Sequence, residues 1–214
     1  MAKILITSGP TRQYLDPVRY LTNASSGRMG SALAAAALEL GHEVVVVSGP
    51  VSVAYPDGVR VHWVDTTGEM LREVLTHFPD MDGLIGAAAP CDYMPVHVRE
   101  HKISKSGEPL ELKLIETPDV VASAAATKQP HQWVIGFALE TEDQRFRATV
   151  KMQRKFCDMM VSNAASAINS NDNSVEILGR DGSLLKSVQG TKAEVARAIL
   201  RAAHSELIIT NATR

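Results

Sequence analysis

The sequence predicts an α/β chain built on a doubly wound, mainly parallel sheet with helices on both faces. Three observations carry this expectation. The runs Ile4-Leu5-Ile6-Thr7 and Glu43-Val44-Val45-Val46-Val47 are nearly continuous apolar stretches, as in strands buried on both faces. Segments of helical periodicity alternate with such strands along most of the chain. At 214 residues with 45% hydrophobic side chains, the chain can bury a full core as one domain, so a single unit over 1–214 is expected.

The elements follow in order. After the first strand comes an alanine-rich helix from about Ser31 to Leu40, closed by Gly41. Glu43 to Val47 returns as strand, Val59 to Val64 reads as another, Gly68 to Phe78 as a helix, and Leu84 to Ala88 as a strand of small residues. The rhythm breaks between Pro90 and Thr117. There Leu110, Leu112 and Leu114 alternate with polar residues behind a Ser106-Gly107 turn, which predicts a strand paired with Lys102 to Lys105, a β-hairpin excursion suited to a flap or dimer contact. A helix from Pro118, a strand at Val134 to Ala138, a helix from about Glu142 to Phe156 and a strand at Met159 to Val161 resume the pattern. A hairpin around Arg180-Asp181-Gly182 follows. The last helix opens on a capping box, Thr191-Lys192-Ala193-Glu194, and the tail from about Thr210 is expected to fray.

Charge narrows the partners. Lys and Arg number 22 against 24 Asp and Glu, a net −2, so no global positive field recruits nucleic acid or a membrane surface, and an anionic ligand must be met by local clusters. Cys91 and Cys157 form neither a disulfide framework nor a metal-binding pair, and the apolar run before Thr7 is too short for a signal peptide. A cytoplasmic protein is expected.

The chemistry concentrates near the N-terminus. A strand feeding Ser8-Gly9-Pro10 and then Ser25-Ser26-Gly27-Arg28 at a helix start presents backbone N–H groups to phosphate. A Rossmann dinucleotide site would need G-x-G-x-x-G directly after the first strand and an acid after the second. Instead an insertion, Gly9 to Ala24, separates strand from helix, and Ser48-Gly49-Pro50 stands in the acid's place. The insertion carries Arg12, Asp16, Arg19 and Asn23, more planar polar groups than a connecting loop needs, unless Asp16 and Arg19 simply pair with each other. Further basic groups lie at Lys102 and Lys105 and at Lys151, Arg154 and Lys155. Together these clusters suit a triphosphate; taken alone, Lys151 and Lys155, at i, i+4 on one helix face, form a solvated face. His97-Val98-Arg99-Glu100-His101 matches an inverted zinc-peptidase pattern, but that motif needs a sustained helix, and Pro90 and Pro95 lie just upstream. Cys91 beside Asp92 lacks a nucleophile elbow and reads as a packing cysteine.

From about Lys3 to Ala203 the chain resembles bacterial phosphopantothenoylcysteine synthetase. The carriers are D-P-V-R-Y-L-T-N-A-S-S-G-R-M-G from Asp16, A-A-P-C-D-Y from Ala88, K-I-S-K from Lys102, T-P-D from Thr117, V-I-G-F-A-L-E-T from Val134 and K-M-Q-R-K-F-C-D from Lys151. The resemblance implies a ligase that activates 4′-phosphopantothenate with CTP as an acyl-cytidylate, with Mg²⁺ on the phosphates, and then joins it to L-cysteine. It implies Asn23 and Lys102 as catalytic residues and Arg19 with Asn23 as substrate contacts. Ser25, Ser26, Gly27, Arg28, Met29, Ala88, Ala89, Asp92, Lys102, Thr117, Pro118, Phe137, Lys151 and Lys155 are implied at the nucleotide. It leaves the metal ligands unassigned. A homodimer is implied as well. Ser104 and Thr117 depart from the more basic flap and the N-P-D motif of many relatives, which loosens the assignment of CTP over ATP. Many relatives are fused behind a flavin-dependent decarboxylase; here that partner is expected as a separate protein unless the chain is a domain cut from a larger one. An NAD(P)-binding reductase-like protein and a non-catalytic nucleotide-binding module are the alternatives; nucleotide titration separates the first and turnover the second.

Overall fold

The computed structural model describes residues 1–140, 143–164 and 173–209. Strand β1 (Lys3–Ser8) leads into an insertion that forms a small antiparallel ribbon, β2 (Arg12–Tyr14) with β3 (Tyr20–Thr22). Helix α1 (Arg28–Glu39), β4 (Glu43–Ser48), β5 (Arg60–Trp63), α2 (Thr67–His77) and β6 (Gly83–Gly86) follow. The excursion contributes β7 (Tyr93–Pro95) and β8 (Leu114–Glu116), and the chain closes with α3 (Val120–Ala125), β9 (Trp133–Glu140), α4 (Gln144–Arg154), β10 (Met159–Ala164), β11 (Asn173–Leu178), β12 (Leu184–Gly190) and α5 (Lys192–Ala203). The expected helix start at Glu142 and the tail from Thr210 lie outside the described residues.

The main sheet runs β12-β11-β10-β9-β6-β1-β4-β5. Its neighbours are parallel from β5 through to β10, and the β11–β12 hairpin closes one side antiparallel. Counting only the parallel strands in chain order gives the doubly wound arrangement 3-2-1-4-5-6, whose order reverses between β1 and β6. Period-two alternation splits β1 between two cores. Ile4 and Ile6 pack with Leu33, Ala36, Ile199 and Ala203 under α1 and α5, whereas Leu5 packs with Met70, Val74, Val120 and Met152 under α2, α3 and α4. Each fully buried Ile or Leu contributes about 1.5–3 kcal/mol relative to exposure.

Two expectations are corrected. The first helix starts one turn early, at Arg28, because Gly27 takes φ +72° and Ser31 N–H already bonds to its carbonyl at 3.0 Å. The glycine turn is therefore the helix N-terminus itself. Lys102 to Lys105 pairs with no strand; Tyr93, Met94 and Pro95 instead oppose Glu116, Ile115 and Leu114. The Ser106-Gly107 turn exists, with Gly107 at φ +86°, but the chain around it is exposed and has no sheet to lean on, so the alternating leucines do not form a longer ladder.

Candidate active site

A cleft of about 630 Å³ opens at the carboxyl ends of β1, β6 and β9, where the strand order reverses. Its floor is Thr7, Gly86 and Gly136, residues small enough to leave room above the sheet. Ala88, Asp92, Thr117, Pro118, Phe137 and Lys155 line it, six of the positions assigned to a nucleotide. Pro90, Tyr93, Glu116, Asp119 and Arg154 complete much of the wall. Its dimensions fit a nucleotide, and half-buried Phe137 offers an aromatic face for a base.

Asp119 organises one wall, and sequence reasoning missed it. One carboxylate oxygen accepts the Ala122 N–H at 3.0 Å and caps α3, while the other pairs with Lys155 Nζ at 2.9 Å. Desolvation opposes its charge, but the Ala122 N–H and Lys155 outweigh it and lower the pKa. The signal lay in Thr117-Pro118-Asp119, an aspartate at an N-cap position immediately before a helical run. Lys151 does not share the cleft. Lys155 caps α4, its N–H on the Lys151 carbonyl at 3.0 Å, and lines the cleft, whereas Lys151 lines a separate hollow with Phe146, Arg147 and Val150.

Asn23, Ser25 and Ser26 border a second hollow, of about 410 Å³, with Arg12 and Tyr20. Asn23 joins the two spaces: its Nδ2 donates to the Pro90 carbonyl at 2.9 Å, and Pro90 lines the larger cleft. Next to it, α1 carries no side-chain cap, which leaves its first-turn N–H groups available to an anion. Gly27 and Gly30 are buried, Met29 is half-buried and Arg28 is exposed; none of these lines either space. Ala89 is half-buried, its N–H bonded to the Gly9 carbonyl at 2.9 Å.

The insertion's charges do not form an open anion pocket. Arg12 bonds to Asp65 at 3.4 Å and stacks over Tyr20 at 4.5 Å. Arg19 pairs with Asp16 at 2.8 Å, as the simple pairing expected, but the pair also reaches across the chain. Asp16 is fully buried; it accepts the Val18, Arg19 and Ile103 N–H groups, and Arg19 Nη1 donates to the Ile103 carbonyl. Desolvation opposes the Asp16 charge, yet these backbone donors, Ile103 first, and the Arg19 guanidinium draw its pKa down to about 2. Lys102, exposed and adjacent to Ile103, is thus anchored from below rather than by strand pairing.

The remaining motifs take structural places. His97 to His101 lies in exposed irregular chain, not a helix. Buried Cys91 donates to the Tyr93 carbonyl at 3.2 Å, and its own backbone is held by Thr11, Thr67 and Thr117.

A family model described as the DNA/pantothenate metabolism flavoprotein C-terminal domain matches residues 1–207. The chain belongs to this family. Among curated members of known name, the coenzyme A biosynthesis bifunctional protein CoaBC of Vibrio cholerae is 40% identical over 211 residues, spanning 96% of this chain and 53% of that protein. The chain therefore spans about half the length of the curated relatives it matches. The crystal structure of the C-terminal domain of CoaBC superimposes with a TM-score of 0.81 at 36% identity, over 98% of this chain and 96% of that one. A Cab2 mutant solved in complex with phosphopantothenate-cysteine shares the fold, with a TM-score of 0.81 at 16% identity over 97% of this chain and 88% of that one. As a member of the DNA/pantothenate metabolism flavoprotein C-terminal domain family, the chain carries its cleft at the reversal of strand order, the place where open α/β sheets hold ligands. Among the described residues no helix is long and apolar enough to cross a membrane.

Proposed function

We propose that this chain is a phosphopantothenate–cysteine ligase of coenzyme A biosynthesis, using CTP and Mg²⁺. The observation that carries the reading is Asn23, whose amide bridges the nucleotide-sized cleft and the hollow beside the α1 N-terminus. Kinship with the CoaBC C-terminal domain supports the reaction class, and the ligand of the Cab2 complex supports the substrate.

A carboxylate is a poor acyl donor because oxide would have to leave. In the first step a carboxylate oxygen of 4′-phosphopantothenate attacks the α-phosphorus of CTP, and pyrophosphate departs with the bonding pair. In the second, the amine of L-cysteine attacks the acyl carbon, loses a proton, and expels CMP. Asn23, tethered through one N–H to Pro90, keeps a second N–H to donate to the reacting carboxylate and later to oxyanion charge. Phe137 faces the base and the uncapped α1 turn takes a phosphate. Arg19 acts on the substrate side indirectly, by fixing the Ile103 backbone beside Lys102.

The cleft wall carries Asp92, Glu116 and Asp119 against only Arg154 and Lys155, so a triphosphate needs added positive charge. Lys102, exposed on the excursion and not among the lining residues, would supply part of it by reaching over the cleft. The oxygen donors Asp92 and Glu116 suit a hard cation, and Mg²⁺ bound with the nucleotide would offset the charge of the departing pyrophosphate. Val98, Leu110, Leu112, Leu114 and Ile115 on the excursion are exposed apolar side chains, in keeping with a homodimer contact there. A flavin-dependent decarboxylase, separate or fused, would consume the product, in the cytoplasm.

The test mixes the chain with 4′-phosphopantothenate, Mg²⁺ and CTP or ATP, with and without L-cysteine, and measures pyrophosphate and nucleoside monophosphate. Cysteine-dependent CMP is expected, with kcat reduced about 10²–10³-fold in Asn23→Ala. Absence of pyrophosphate with either nucleotide overturns the ligase reading.

A further inference from the structure

Away from the cleft, α2 and the sheet-edge strand β5 bring together a side-chain set that the ligase chemistry does not use. Glu73 and His77 are one helical turn apart on α2, and His62 extends from β5. One ligand atom from each lies within 4.8 Å of the others. We propose that His62, Glu73 and His77 form a binding site for a divalent transition-metal ion of the zinc class, clamping α2 to the edge of the sheet.

Distances separate this arrangement from an ordinary polar cluster. His62 Nδ1 and His77 Nε2 stand 3.6 and 3.5 Å from the same Glu73 oxygen. N–H···O hydrogen bonds are about 2.7–3.2 Å long, so these contacts are too long to be good ones. Ligands bound at about 2.0–2.1 Å around a tetrahedral ion stand roughly 3.4 Å apart, close to what is observed. The two imidazole planes are tilted by 47° with centroids 4.1 Å apart, and His62 Nε2 is buried with no hydrogen-bond partner. Side-chain exposures of 25–30% leave the group partly open, and Glu73 borders a hollow with Trp63 and Arg72 through which an ion and its water can enter. Two nitrogens and one carboxylate suit zinc, cobalt or nickel and discriminate against Mg²⁺, which prefers oxygen. The three residues share nothing with the lining of the nucleotide cleft.

The experiment is calorimetric titration of Zn²⁺ into the tag-free chain in excess Mg²⁺, alongside His62→Ala, Glu73→Gln and His77→Ala. One ion per chain is expected, with affinity reduced at least about tenfold in each variant. At saturation the wild-type Tm should rise by about 5–10 °C, and the variants should not follow. Co²⁺ bound to the wild-type chain should show the visible absorption of four- or five-coordinate cobalt, a readout that does not depend on the variants folding. Unchanged affinity in folded variants, no binding at about 100 µM Zn²⁺, or only the spectrum of hydrated cobalt overturns the proposal.

Discussion

Replacing Gly30 by Ala tests how the α1 turn is seated on the sheet. A Cβ at Gly30 would lie 2.1 Å from Ser8 Oγ and 2.5 Å from Ser8 Cβ, more than an ångström short of ordinary contact for the nearer atom, which begins at 3.4 Å. Rotating the hydroxyl relieves only the first clash. Ser8 is fully buried and hydrogen-bonded to Tyr55 and the Gly27 carbonyl, so the strand cannot yield and the helix must move. Overpacking of this severity costs about 3 kcal/mol. Alanine returns up to about 1 kcal/mol of helix propensity. The net loss of about 2 kcal/mol lowers Tm by about 4–8 °C for a chain of this size. Displacing the α1 turn, proposed to take a phosphate, by an ångström should also cost about 100-fold in kcat/KM. Ser8→Gly leaves only its Cα, at 3.3 Å, so Gly30→Ala should cost less than about 0.5 kcal/mol in that background. Calorimetry of the four chains decides. A Gly30→Ala Tm equal to wild type, or the same cost in both backgrounds, would refute the clash.

Other consequences follow from buried groups. The Asp16 pKa, about 2 against an ordinary 3.8, is depressed, so its contribution to stability is complete above pH 3.8 and disappears as pH falls toward 2. Urea melts should reveal that loss in the wild-type chain and not in Asp16→Asn; parallel pH profiles would reject it. Burial pushes the Cys157 thiol up to about 12, so iodoacetamide at about pH 8 should leave it unmodified in the native chain and alkylate it in urea, as read by mass spectrometry. Gln132 Nε2 donates to the Phe78 and Met81 carbonyls, both at 2.7 Å, and its Oε1 accepts the Gln129 N–H at 2.9 Å. Gln132→Ala strands those buried groups and should cost about 2 kcal/mol, visible as a Tm drop of about 4–8 °C; an unchanged Tm would show that water replaces the side chain.

The sequence by itself determined the α/β class, the parallel strands, the capped last helix and the turn before α1. These depend on local causes: β-branched runs, the 3.6-residue period, Thr191 with Glu194, and a glycine where φ must be positive. The cleft was legible only through the family resemblance, which implied Asp92, Thr117, Pro118 and Phe137; no local strand or helix signal singles these residues out. Tertiary structure alone decided which cations act together. Lys151 and Lys155 look equivalent on a helical wheel, yet Lys155 caps the helix and meets Asp119 in the cleft, whereas Lys151 lines a separate hollow. Asp16 and Arg19 look like a local pair, yet they hold Ile103, far along the chain. The excursion was misread because strand pairing depends on a partner edge, and alternation in one segment does not name the other. His62 remained unremarked until β5 and α2 packed side by side, because a ligand set from two elements has no spacing in the sequence.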